Sequence, residues 1–144
     1  MSVSLASAAP RSSPRAAFRV DAVTAKASVD AETKRALRDE VTRNLAALDF
    51  VGVVGRYTLS PSLVQLRRYV DAGASEPRLV CIVDVALRDG HDALVGSVRG
   101  SVSAEGATQR EAIAAAVHSA MKRVPQAIQI AERADSQQAA YAER

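Results

Sequence analysis

The alternation of apolar and polar side chains predicts two neighbouring strands in the middle of the chain. Over residues 79–87 the odd positions are Leu, Cys, Val, Val and Leu, and the even positions between them are of mixed character. Residues 94–104 alternate between an apolar and glycine row and a row of serine and arginine. Because successive side chains of a strand point to opposite faces, the second segment is expected to be buried on one face only.

Other extended segments flank this pair. Residues 17–23 alternate weakly and are a plausible first strand, and residues 50–70 are rich in β-branched residues and glycine. Pro61 lacks a backbone donor, which suggests an edge, a bulge or a break into two strands there. Asp89-Gly90 separates the two central strands and is typical of a hairpin turn.

Two amphipathic helices complete the pattern. The first begins at Ser28 or Asp30 and repeats leucine and valine at helical spacing. The second begins at Thr108, which forms a Thr-x-x-Glu capping box with Glu111. Pro125 is expected to kink or end this helix. The apolar stripes of the two helices are Leu37, Val41, Leu45 and Leu48, and Ile113, Val117, Ala120, Met121 and Val124.

The element order is therefore β-α-β-β-β-α. It predicts an α+β fold: an antiparallel sheet of three to four strands with two helices on one face. We expect residues 1–16 to be a disordered Ala/Ser/Pro-rich tail, residues 17–128 a single domain, and residues 129–144 a polar tail or frayed helix.

The composition narrows the classes of function. The chain has 144 residues, 48% of them hydrophobic, and a formal net charge of +3. Aromatic residues make up only 3%, which disfavours binding of single-stranded nucleic acid by stacking. The charge is compatible with an acidic partner but is far below that of a dedicated nucleic-acid binder.

The glycine-rich stretch "VGSVRGSVSAEGATQREA" does not fit a phosphate-binding loop. Gly100 and Gly106 are separated by five residues, and Ala107 stands where a P-loop requires lysine. The stretch instead fits a strand followed by a capped helix start, with Gly96 and Gly100 on the inner face, where the lack of a side chain lets a helix approach closely.

The sequence offers no catalytic, metal or cofactor set. His91 and His118 have no second ligand at metal-binding spacing, and both are expected to be solvated. Cys81 lies in an apolar run and is expected to be a buried thiol rather than a nucleophile. No G-x-S-x-G motif occurs. We therefore expect a protein that is not an enzyme and needs no cofactor.

The expected location depends on the N-terminus. Ala6 and Ala8 form an A-x-A arrangement, as at a signal-peptidase site, but a charged start and a full apolar segment are missing. The chain is exported if residues 1–16 are a shortened signal, and cytoplasmic if they are a tail. No apolar run reaches the length of a membrane helix.

A polar sheet face is the expected functional surface. Asp84 lies mid-strand, where Arg67 or Arg99 of a neighbouring strand could pair with it. An open sheet with helices on one side leaves its other face or an edge strand available to a partner. The predicted interaction face comprises Gln65, Arg67, Asp84, Arg88, Ser97, Arg99 and Ser101.

Two family resemblances bear on this expectation. "GRYTLSPSLVQL", "VCIVDVAL" and "ALVGSVRGSVSAEG", within residues 50–125, resemble a poorly characterised α+β domain of exported myxobacterial and related proteins. That resemblance implies a small interaction or envelope-associated domain with no catalytic residues. We therefore expect a protein partner or a homo-oligomer.

The alternative is a nucleic-acid-binding module. The order of elements over residues 30–125 and the segment "TQREAIAAAVHSAM" resemble the double-stranded-RNA-binding domain. That family places lysines at this helix start to meet phosphates, whereas this chain has Gln109, Arg110 and Ile113.

Overall fold

A computed structural model describes residues 17–50, 53, 55–73 and 75–142. The expected tail at residues 1–16 lies outside this part of the chain. The elements in chain order are β1 (Ala17–Val20), α1 (Ala31–Ala47), β2 (Arg56–Tyr69), β3 (Arg78–Arg88), β4 (Leu94–Glu105), α2 (Gln109–Met121) and α3 (Val124–Ala142). The fold is α+β, as the sequence predicts.

The sheet is mixed rather than antiparallel throughout, which corrects the sequence-based prediction. Its strand order is β1-β2-β3-β4, and β2, β3 and β4 are antiparallel neighbours. β1, however, runs parallel to β2, with Ala17 opposite Arg56. The reason is the connection: α1 carries the chain back between the two strands, and a helical crossover of this kind joins parallel strands.

Pro61 lies inside β2 and explains why β1 ends at Val20. The Asp21 N–H donates to the Leu59 carbonyl and the Thr24 N–H donates to the Pro61 carbonyl, so this side of β2 faces β1. The donor between these two bonds would be the N–H that Pro61 lacks. The pairing is interrupted there, and it resumes as an isolated bridge in which Thr24 donates to Pro61 and accepts from the Leu63 N–H.

The helices cover one face of the sheet. The predicted inner row of β3, from Leu79 to Leu87, is buried, and it packs with Leu37 and Val41 of α1 and Ile113 of α2. A Cβ at Gly100 would collide with the backbone of α2 at Ala116 and lie 2.6 Å from the Ala120 nitrogen. Close approach of a helix to Gly100 is thus confirmed. At Gly96 the nearest atom would be 3.9 Å away on Leu87, so no helix presses on that position.

The starts of the two predicted helices are confirmed at the level of single hydrogen bonds. Asp30 caps α1 by accepting from the Thr33 N–H at 2.7 Å. Thr108 and Glu111 form the reciprocal capping box of α2, with bonds of 3.0 and 3.1 Å. The Thr108 N–H and side chain lower the pKa of Glu111. Each cap satisfies amides that the first helical turn would otherwise leave unpaired.

The predicted order contains two helices, and the structure corrects this: a third helix, α3, follows α2 after a short turn. Pro125 lies in its first turn, where a missing N–H costs nothing, so the chain bends before the proline and then continues as helix. α3 runs past residue 128, and Glu132 accepts hydrogen bonds from the Tyr57 hydroxyl at 2.9 Å and the Gly55 N–H at 3.2 Å. This contact ties α3 to the start of β2.

The hairpin between β3 and β4 is organised by the side chain of Asp89. Its carboxylate accepts from the His91 and Ala93 N–H groups at 2.8 and 3.0 Å, which lowers the pKa of Asp89. The left-handed residue of the loop is Asp92, with φ of 63°, rather than Gly90. The sequence thus predicts the position of this turn but not its conformation.

Candidate interaction face

The side of the sheet opposite the helices, here called the outer face, carries every residue of the predicted interaction face. Cross-strand pairing places Ser62 beside Asp84 and Asp84 beside Arg99, in one row across three strands. The other predicted residues belong to the same set of alternating positions. They are Gln65, Arg67, Arg88, Ser97 and Ser101. No element within the described ranges packs over this surface.

Arg99 and Asp84 form a two-bond ion pair at the centre of the outer face. Nε and Nη2 of Arg99 donate to the two carboxylate oxygens of Asp84 at 2.6 and 2.8 Å. These hydrogen bonds lower the pKa of Asp84 and raise that of Arg99. The side chain of Arg99 is nevertheless 60% exposed, so its guanidinium is held in one orientation and still faces solvent.

The sequence allows Arg67 as an alternative partner of Asp84, but the two side chains do not pair. The guanidinium carbon of Arg67 lies 5.2 Å from the ring centre of Tyr69, and Arg78 lies at the same distance from that ring. Gln65 donates to the Tyr69 hydroxyl at 3.0 Å. Tyr69 therefore orders three polar side chains at one end of the outer face through cation–π contacts and a hydrogen bond.

The outer face also carries three apolar side chains on β3, on either side of Asp84, which sequence reasoning did not include in the interaction face. Val80, Ile82 and Ala86 of β3 point outward between the arginines and are half-buried by their neighbours. The sequence held a signal for them, because a strand that is apolar on both rows is typical of a sheet covered on both sides. Tyr69 and Arg78 were also missed, since neither stands out in the local pattern.

The remaining predicted residues lie toward the edges. Arg88 donates to the Asp92 carbonyl at 3.4 Å, so its side chain points along the hairpin. Ser97 and Ser101 are exposed on β4, opposite Ala86 and Ile82. The outer face thus combines apolar side chains of β3 and the central Arg99–Asp84 pair with further arginine and serine residues around them, and such a mixture of apolar and polar groups is common in protein–protein interfaces.

The residues considered for other chemistry are not brought together. Cys81 is fully buried, and burial raises its pKa to about 11. His91 is exposed in the hairpin, and His118 lies on α2 with Nδ1 3.2 Å from Asn44 Oδ1. Among the described residues no three His, Cys, Asp or Glu side chains are grouped as metal ligands. No helix in that part of the chain has both the length and the apolar character to cross a bilayer.

Comparison with known proteins identifies shared folds but no shared family. No protein-family model matches the chain, and no curated protein matches it significantly. The PelC dodecamer structure from Paraburkholderia phytofirmans is similar with a TM-score of 0.56 and 16% identity, over 75% of this chain and 86% of that chain. The hypothetical protein CT253 from Chlamydia trachomatis is similar with a TM-score of 0.56 and 10% identity, over 79% of this chain and 98% of that chain. A minor lipoprotein from Acinetobacter baumannii has a TM-score of 0.48 and 13% identity, over 76% of this chain and 92% of that chain. The chain therefore shares the fold of PelC and CT253.

Proposed function

We propose that this chain is a non-enzymatic interaction domain of the bacterial envelope and that its outer face binds a protein partner. The observation that carries the proposal is the set of half-buried apolar side chains Val80, Ile82 and Ala86, which no helix of the described residues covers and which lie among ordered arginines. Apolar area of this kind is stabilised when a partner removes it from water. The partner that fits has an apolar centre with acidic groups around it.

The order of the polar side chains supports this proposal. Arg99 is fixed by Asp84, and Arg67 and Arg78 lie against Tyr69. A side chain that is already held in one position loses less conformational freedom when a partner binds. Arginine and tyrosine are also the residue types that most often carry the binding energy of an interface.

Location and assembly belong to the same proposal. The resemblance of residues 50–125 to exported bacterial domains supports an envelope location. PelC, which shares the fold, is a dodecamer, and this supports an assembly role rather than a catalytic one. Fractionation of cells that express the tagged full-length gene product tests the location. Recovery of the protein in the cytoplasm alone would contradict it.

The binding role is tested by charge reversal on β2 and β3. Arg67→Glu with Arg88→Glu reverses two rim charges and leaves the Arg99–Asp84 pair intact. Arg35→Glu with Arg133→Glu makes the same charge change on exposed helix positions and is the matched control. Each chain is used as bait in the native cell extract, and captured proteins are identified by mass spectrometry.

A partner retained by wild type and by the helix control but lost with Arg67→Glu and Arg88→Glu supports the proposal. Equal capture by all three folded chains would remove the outer face as the binding surface. The double-stranded-RNA alternative predicts a different result: RNA affinity that falls steeply with salt, because binding releases counterions. RNA binding with that dependence would replace the protein-partner proposal.

A further inference from the structure

The edge of β4 that faces away from β3 is a long, regular strand edge, unpaired in the part of the chain that the structure describes. β4 is the last strand of the sheet order, and no strand in the described ranges pairs with its free side. Its regular part runs from Gly96 to Glu105, beyond the irregularity beside Leu94. The opposite edge of the sheet in the described ranges is β1, Ala17–Val20. A strand edge of this length offers backbone donors and acceptors to another strand.

The direction of the backbone groups identifies which residues form this edge. The Gly106 N–H donates to Pro77 on the β3 side, so the odd-numbered residues before it direct their N–H and C=O groups outward. The Arg99 carbonyl confirms this alternation, because Arg123 reaches it from outside β4 at 3.4 Å. Ser101, Ser103 and Glu105, whose backbone groups face away from β3, also have exposed side chains.

Several features that proteins use to block a free edge are missing from this segment. Residues 97–105 read SVRGSVSAE, with no proline and no lysine. The one basic side chain, Arg99, is paired with Asp84. Val102 and Ala104 are only half-buried on the helix side, although they lie in the inner row of the strand. The edge is therefore suited to pairing with another strand.

We infer that the occupant of this edge is a second copy of the chain, with the two β4 strands paired antiparallel about a twofold axis at Val102. In this register Arg99 lies opposite Glu105 of the second copy, and by symmetry the pair occurs twice. Ser101 lies opposite Ser103. With the axis at Ser101 instead, Arg99 would face Ser103, and with the axis at Arg99 like charges would meet.

This dimer goes beyond the proposed function and does not depend on it. Each outward pair exchanges two backbone hydrogen bonds, and the two sheets become one continuous sheet of eight strands. Arg123 has to release the Arg99 carbonyl for the last pair to form, and its exposed side chain allows this. The outer faces of the two copies lie side by side and remain free, so loss of dimerisation and loss of partner capture are separate results.

The oligomeric state of proline variants tests the inference. Ser101→Pro removes an outward N–H in the middle of the paired segment. Ser97→Pro makes the same change on the same strand edge but outside the segment from Arg99 to Glu105, and it is the matched control. Sedimentation velocity is expected to show a dimer for wild type and Ser97→Pro, and a dimer Kd raised at least about 100-fold, toward monomer, for Ser101→Pro. Circular dichroism checks that both variants fold.

Charge and cross-linking test the register. Glu105→Lys places two positive charges opposite each other at both ends and is expected to raise the dimer Kd about tenfold. Val102→Cys, in a Cys81→Ala background because Cys81 is its neighbour on β3, is expected to form a disulfide between copies. Facing residues of such a non-hydrogen-bonded pair have Cα atoms about 4.5 Å apart, within disulfide range. Ser97→Cys, about 30 Å from its counterpart in this register, is the control.

A wild-type chain that stays monomeric at about 1 mM overturns the inference. Equal dimerisation of folded Ser101→Pro and wild type overturns it as well, because the interface then lies elsewhere. If Ser97→Cys cross-links and Val102→Cys does not, the proposed register is wrong.

Discussion

Arg99 and Asp84 face each other across β4 and β3 and are joined by two hydrogen bonds of 2.6 and 2.8 Å. The pair lies in the centre of the outer face, where Asp84 stands between Ile82 and Ala86 on β3, and it holds the guanidinium in one orientation. It therefore links the stability of the sheet to the shape of the proposed binding surface.

The pair predicts a pH-dependent contribution to stability. Because hydrogen bonds from Arg99 lower the pKa of folded Asp84, the folded state binds fewer protons than the unfolded chain just below pH 4. The stabilisation is complete at neutral pH and is lost as the pH falls through the lowered pKa. Asp84→Asn is therefore expected to lower Tm by about 2 °C at pH 7, and by progressively less below about pH 4.

Asp39→Asn makes the same chemical change at an exposed position of α1 and is the control. Tm is followed by circular dichroism from neutral to acidic pH. A difference between wild type and Asp84→Asn that grows on acidification would contradict the assignment of the pair.

Two glycines on the inner row of β4 are expected to respond differently to alanine. Gly100→Ala puts a methyl group against the backbone of α2, which cannot move aside without shifting the helix. The substitution is therefore expected to lower the free energy of unfolding by about 2 kcal/mol or more. Gly96→Ala meets nothing closer than 3.9 Å and is expected to be neutral or slightly stabilising. Urea unfolding of the two variants measures the difference. Equal effects would show that α2 is not in close contact at Gly100.

The parts of the fold that the sequence predicts are those encoded by local periodicity. β3 and β4 follow from their period of two, and α2 follows from its stripe and from the capping box of Thr108 and Glu111. The position of the predicted interaction residues on one face follows from the same periodicity. These features depend only on neighbours along the chain.

The parts that escaped prediction depend on residues far apart in sequence. The parallel direction of β1 depends on where α1 returns the chain, and the break in its ladder depends on Pro61, about forty residues later. The choice of Arg99 over Arg67 as the partner of Asp84 depends on register and on Tyr69, which attracts Arg67. Local patterns contain no information on these pairings.

The contact between Tyr57 and Glu132 is expected to hold α3 against the sheet. Tyr57 is 5% exposed. The pKa of its hydroxyl is raised, mainly by burial and to a smaller extent by the hydrogen bond to Glu132. Tyr57→Phe, Glu132→Ala and the double variant form a cycle whose coupling free energy is expected to be about 1 kcal/mol. Unfolding by urea measures it.

Asp135 of α3 provides the control for that cycle. Asp135→Ala removes an acidic side chain three residues further along α3, and its coupling to Tyr57→Phe is expected to be much smaller than that of Glu132→Ala. A coupling near zero for Glu132 would contradict the hydrogen bond.

Cys81 is expected to behave as a reporter of unfolding rather than as a reactive thiol. Its side chain is fully buried on the inner row of β3, and its pKa of about 11 leaves roughly one thiolate in a thousand at pH 8. A thiol reagent should therefore label the native protein only as fast as it opens, and should label it immediately in strong denaturant. Ser97→Cys, which adds an exposed thiol on β4, should react at once in the native state and show that the reagent is active. Fast labelling of native wild-type protein would mean that β3 is accessible and that the inner face is not packed as described.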